Sequence, residues 1–132
     1  TMRVAPFSIV KQDPDFEGSV TSLTYEPPLL SVRANVAENG SYIIDFGEQI
    51  WAFRYMEEGD LTYYWESRLF DDNFLIYQIL EGGWLSKEGS PLNILGIAMS
   101  GDWLKEWFVP TRNYSVAVLS TTPPTVRRVV GA

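Results

Sequence analysis

The sequence predicts an all-β fold, a sandwich or a barrel, and three observations carry that prediction. Turn signals recur at short intervals: Glu38-Asn39-Gly40, Glu58-Gly59-Asp60, Asp71-Asp72-Asn73, Gly82-Gly83, Gly89-Ser90-Pro91, Gly101-Asp102, Pro110 to Asn113 and Pro123-Pro124. Between them lie runs rich in Val, Ile, Tyr, Phe and Trp, residues that fit a pleated, half-buried surface. The clearest run, 114–120, alternates, with Val116 and Val118 on one side and Ser115, Ala117 and Leu119 on the other.

Taken in order, strands are expected at 8–11, 20–25, 30–36, 42–46, 50–56, 61–66, 74–80, 84–86, 93–98, 107–109, 114–120 and 125–130. The first 30 residues are weakly patterned and end in Pro27-Pro28. They read as an arm that packs across the domain or reaches a second subunit. Runs 50–56 and 61–66 flank Glu57-Glu58-Gly59-Asp60 and read as a hairpin. At 72–80 a short helix competes, with Asp71 or Asp72 as cap and Gly82 as stop, because Phe70, Phe74 and Tyr77 have helical spacing. The shortness of the run and its Ile76, Tyr77 and Ile79 favour a strand. A single helical turn capped by Asp102 is the alternative at 102–107. No repeat, linker or low-complexity run divides the 132 residues, so one domain is expected over 1–132.

Composition narrows the chemistry. With 45% hydrophobic and 14% aromatic residues the chain can bury a core without staples. It has no cysteine and no histidine, which removes thiolate sites, the commonest metal ligand and the commonest general base. Ten cationic against 17 anionic side chains leave a net charge of −7, which repels phosphate backbones, so direct nucleic-acid binding is not expected. The charge serves solubility or a basic protein partner. No apolar run approaches a membrane span and no secretory leader is visible, so a cytoplasmic location is expected. Neither Gly-x-x-x-x-Gly-Lys-Ser/Thr nor Gly-x-Ser-x-Gly is present, and no pair of carboxylates is positioned for glycoside hydrolysis.

The stretch 74–119 carries a further pattern. Ile76-Tyr77-Gln78-Ile79-Leu80-Glu81-Gly82 is a strand ending in glycine, and Gly101-Asp102-Trp103-Leu104 is a later Gly-Asp turn. This punctuation resembles the β-roll sensor domains of the cupin and cyclic-nucleotide-binding superfamilies. The resemblance covers about a third of the chain and implies a cupin-like double-stranded β-helix, a jelly-roll barrel, with an N-terminal arm and at most one or two short helical turns. In the catabolite-activator version it would place Glu106 on a ribose and Arg112 on a cyclic phosphate. Lys105 stands where that family has glycine, and the Glu-to-Arg spacing falls roughly three residues short of the one that builds its phosphate-cradling helix. In the cupin version Asp71 and Asn73, then Tyr114 and Ser115, occupy the regions where metal-using relatives place histidines. The resemblance therefore implies a metal-free barrel with no cofactor.

Candidate binding residues follow from side-chain type. Tyr63 and Trp65, on one face of a strand, would meet Tyr77 and Trp84; these rings either line a pocket for a small apolar or aromatic-stacking ligand or fill the core. Arg54, mid-strand among apolar residues, needs a carboxylate such as Glu66 or an anionic ligand. Glu106 and Arg112 are either a polar anchor at the rim, near Tyr114, or a solvated pair. The expected role is a non-catalytic small-molecule-binding or sensing and dimerisation β-barrel, similar to the effector lobe of a transcription regulator, with homodimers formed by pairing edge strands. The alternatives are an acidic protein–protein interaction module of immunity or inhibitor type and a small metal-independent isomerase or lyase.

Overall fold

The computed structural model describes residues 2–15, 17–38, 40–47, 50–57, 62–84, 104–111 and 114–129. Among these described residues, nine strands and one short helix follow in the order β1 (Arg3–Pro6), β2 (Ser19–Glu26), β3 (Leu29–Ala37), β4 (Gly40–Phe46), β5 (Ile50–Glu57), α1 (Thr62–Glu66), β6 (Tyr77–Glu81), β7 (Lys105–Pro110), β8 (Tyr114–Ser120) and β9 (Thr125–Arg128). All pairings between these strands are antiparallel, and they form two open sheets. One has the order β1-β6-β7-β8-β5, the other β2-β3-β4-β9. The all-β expectation is met, as two sheets, neither of which closes on itself.

The sheets pack face to face around one apolar layer. β3 shows why: Leu30, Val32, Ala34 and Val36 are buried while Ser31, Arg33 and Asn35 alternate on the opposite face. Their partners from the larger sheet are Trp107, Val109, Val116 and Val118, joined by Ile44, Phe46, Leu75 and Ile76. Trp107 satisfies its indole by donating to Ser120 Oγ at 2.9 Å, so the largest buried side chain leaves no polar atom stranded.

The larger sheet is covered on its second face as well. Met56, Tyr64, Phe70, Tyr77, Ile79, Phe108 and Ala117 form a second apolar layer under α1 and the turns after it. Residues 115–120 are consequently buried at every position, on both faces of β8. The two-sided alternation read from 114–120 stands, with Val116 and Val118 in one layer and Ala117 in the other.

Several expected elements take another form. The strand expected over 61–66 is replaced, in its described residues, by a helix at Thr62–Glu66, and β5 pairs with β8 instead of with a hairpin partner there. The helix ends where Arg68 adopts φ 61°, with Arg68 N–H donating to Trp65 C=O and Ser67 Oγ to Tyr64 C=O. Asn73, at φ 62°, closes the Asp71-Asp72-Asn73 turn, and 77–81 is strand rather than helix. Residues 8–11 form no regular strand; they run beside 73–76, bonded from Phe7 N–H to Ile76 C=O and from Leu75 N–H to Val10 C=O. Trp84 lies in a turn, and residues 105–107, within the alternative helical turn, are strand. Residues 85, 86, 93–98 and 101–103 lie outside the described residues.

The first 30 residues are built into the sheets. β1 edges the larger sheet, Asp13 N–H crosses to Val36 C=O on β3, and β2 edges the smaller sheet. Pro27-Pro28, joined by a cis peptide bond, make the two-residue turn of the β2–β3 hairpin, in which Glu26 pairs with Leu29.

Candidate functional site

Cross-strand register sets the second face of the larger sheet. Arg54, Ala117, Phe108 and Tyr77 form one row across β5, β8, β7 and β6, and Ala52, Leu119, Glu106 and Ile79 form the next. Ala117 is the small member of its row, which leaves the long side chain of Arg54 room to lie across β8.

Four of the residues expected to bind a ligand meet here, around the turn Gly82-Gly83-Trp84. The Arg54 guanidinium lies over the Trp84 ring, 4.5 Å from its centroid, and donates to Tyr64 Oη at 2.9 Å. The backbone N–H of Trp84 donates to Glu106 Oε2 at 3.1 Å, and Tyr63 Oη donates to Gly82 C=O at 2.9 Å. Gly82 takes φ 80°, a left-handed conformation that glycine adopts without steric cost. A Cβ on Gly83 would stand 2.6 Å from Ile79 Cγ2 and 2.7 and 2.8 Å from the two carboxylate oxygens of Glu106. Only glycine lets the turn sit this close to the carboxylate.

This geometry corrects three expectations. Glu106 is 1% exposed, so it is a buried acceptor beneath the turn and not a rim anchor. Glu66 is exposed on α1 rather than across a hairpin from Arg54, which meets Tyr64 and Trp84. Tyr63 and Trp65 do not share a strand face, because both stand on α1: Tyr63 is 42% exposed, while Trp65 packs against Phe70 and Phe108.

The remaining candidates separate. Tyr77 is buried in the aromatic layer with Phe70, its ring centroid 4.9 Å away, and its hydroxyl accepts from Phe74 N–H at 3.1 Å. Burial raises its pKa above 10.0; the Phe74 hydrogen bond opposes this, and the nearby Asp72 and Asp71 reinforce it. Tyr64 stacks on Phe108 at 4.7 Å, so these rings fill space against one another. Tyr114 stands apart, stacked on Tyr55 at 5.1 Å. Arg112 lies outside the described residues.

A different surface was not singled out by the sequence. β5 and β2, the edges of the two sheets, run close together, with Tyr25 of β2 against Phe53 of β5 at 5.3 Å between centroids. Tyr25, Trp51 and Tyr55 are 43%, 42% and 48% exposed along this side. Trp51 is the extra residue of a bulge between Ile50 and Ala52. A shallow groove of about 250 Å³ runs between Tyr55 and residues Val20, Thr21, Ser22 and Leu23. The signal available was the row Trp51, Phe53, Tyr55 in β5, which at the edge of a sheet reaches past the core.

Among the described residues, no group of three or more carboxylates is placed to hold a metal ion, and no helix is long and apolar enough to cross a membrane. Compared with protein-family models, with curated proteins and with solved structures, the chain gives no match.

Proposed function

We propose that this protein is a non-catalytic recognition module that binds a polypeptide partner on the outside of the sandwich, along the side where β5 and β2 meet. The observation that carries this reading is the contrast between two sets of rings. Tyr64, Phe70, Tyr77 and Phe108 are buried against each other, whereas Tyr25, Trp51 and Tyr55 stand more than two-fifths exposed beside two sheet edges. Tyr and Trp combine large contact area with few rotatable bonds and anchor protein interfaces. An edge strand offers unpaired backbone groups to an incoming strand. The excess of acidic side chains suits a partner segment with basic residues.

The test is selection of peptides from a random display library on the wild-type protein, followed by affinity measurement on a Trp51→Ala/Tyr55→Ala double variant. Peptides of extended, basic character that lose at least tenfold in affinity on the variant support the proposal. Where a second copy of the chain is the strand donor, sedimentation velocity on both proteins reads it out. Peptides that bind both proteins equally, with no self-association of either, sink it.

A second reading keeps the small-molecule sensor and is favoured by the meeting of Arg54, Trp84 and Tyr63, whose partly exposed cation, indole and phenol suit a polar aromatic-stacking ligand. A cupin-like β-roll is the finer fold that goes with it. A thermal-shift screen with sugars, cyclic nucleotides and fatty acids separates the two, because a ligand at 100 times its dissociation constant adds about 2.7 kcal/mol of stability.

A further inference from the structure

We infer that the outer face of the smaller sheet carries a binding site for a small oxyanion, a carboxylate or phosphate group, centred on Arg33. The site begins with a bulge. β2 and β3 pair in register at Val20↔Ala34 and again at Ser22↔Arg33, so Thr21 is one residue too many. A bulge sets two residues against one on the facing strand. Thr21 and Ser22, both exposed, are thereby brought beside Arg33, with Thr21 Oγ1 donating to Arg33 C=O at 3.3 Å. Asn35 follows on the same face of β3, two residues on. These four residues line an open depression of about 390 Å³.

The charge arrangement sets the ligand class. On the same face Arg127, two strands away, is paired with Asp45 at 3.1 Å, and Asp45 also accepts from Ser31 Oγ at 2.7 Å. Asp45 is thus committed to other partners, and Glu26, the carboxylate of β2 on this face, stands at the far end of the strand, opposite Leu29. Arg33 forms no ion pair with the described residues, in a chain where acidic side chains outnumber basic ones 17 to 10. A guanidinium presents a planar fork of donors that matches carboxylate and phosphate oxygens. The Ser22 hydroxyl and the Nδ2 of Asn35, whose Oδ1 accepts from Ser41 Oγ, supply further donors around it, while the Thr21 hydroxyl proton is held by Arg33 C=O. The depression is open to water, so millimolar affinity is expected. This site does not depend on the peptide-binding reading above.

The experiment is a titration of the isotopically labelled protein, followed by backbone amide shifts, with sodium phosphate and sodium acetate in separate arms. Sodium chloride at matched ionic strength is the control. Saturable shifts centred on Thr21, Ser22, Arg33 and Asn35 in either oxyanion arm are expected, and the arm that saturates identifies the group. Arg33→Gln should weaken that binding at least fivefold and Arg33→Lys by less; an unchanged amide spectrum elsewhere shows that the variants are folded. Ser22→Ala gives a second, milder loss. Shifts that never saturate, that chloride reproduces, or that persist in Arg33→Gln overturn the inference.

Discussion

At the scale of single residues, burial decides what a polar group does here. Tyr77 was placed by its aromatic type among ligand-lining residues, but its ring is in the second apolar layer and its hydroxyl is held by Phe74 N–H. Its folded pKa lies above 10.0 because burial penalises the phenolate. The folded state therefore keeps this proton to higher pH than the unfolded chain does. Stability from this group is fully present below pH 10.0 and falls as pH climbs past it towards the folded pKa. Tyr77→Phe lacks the titration and the hydrogen bond. It should be less stable than wild type by about 0.5–1.5 kcal/mol at neutral pH, and that gap should close as pH rises past 10.0. Urea unfolding of both proteins across this range reads it directly; a gap independent of pH would show that the phenol does not titrate differently in the two states. Glu106 teaches the same lesson from the acidic side. Its residue type suggested a rim, and only the close approach of Gly83 and the bond from Trp84 N–H reveal a buried acceptor.

At the scale of elements, legibility tracks how many faces are buried. β3 and β4 were read within a residue or two because one face of each carries polar residues. β7 was read as three residues where six are paired, since a strand buried on both faces loses the period-two signal. The N-terminal segment looked unpatterned because residues 7–12 are held largely by backbone bonds, which leave no mark on side-chain order. α1 was misread for another reason: Tyr63-Tyr64-Trp65 has strand propensity, and tertiary packing of Tyr64 and Trp65 on Phe108 overrides it. Nor does the helix carry a glycine stop. Arg68 supplies the left-handed residue instead, and a side chain there costs about 1 kcal/mol that glycine would not. Arg68→Gly should leave the protein as stable as wild type or up to about 1 kcal/mol more stable, despite losing the exposed Arg68–Asp71 pair. A clear loss in urea unfolding would mean that Arg68 does more than end a helix.

At the scale of the whole molecule, the described elements form three layers, and the larger sheet is the middle one. β8 sits between β7 and β5, pairs along its length with both, and has an apolar layer on each face. β9 is the opposite case: four residues at the edge of the smaller sheet, three of them exposed, paired among the described strands to β4 alone. β1 is equally short and its pairing shifts register between Arg3 and Val4. Opening β8 requires breaking both apolar layers, whereas β9 can detach and leave the sheet-to-sheet core largely in place. Native-state hydrogen exchange should therefore find the slowest amides in β8 and β7, with the paired amides of β1 and β9 exchanging at least tenfold faster. The layered arrangement also bears on function, since both proposed binding surfaces lie away from this middle sheet's centre. The β5–β2 side and the Arg33 face belong to edges and to the outer surface of the smaller sheet, where a partner can be gained or lost without disturbing β8. If β9 exchanged as slowly as β8, the three layers would open as one unit, and binding at either surface would stabilise the whole molecule rather than its own edge.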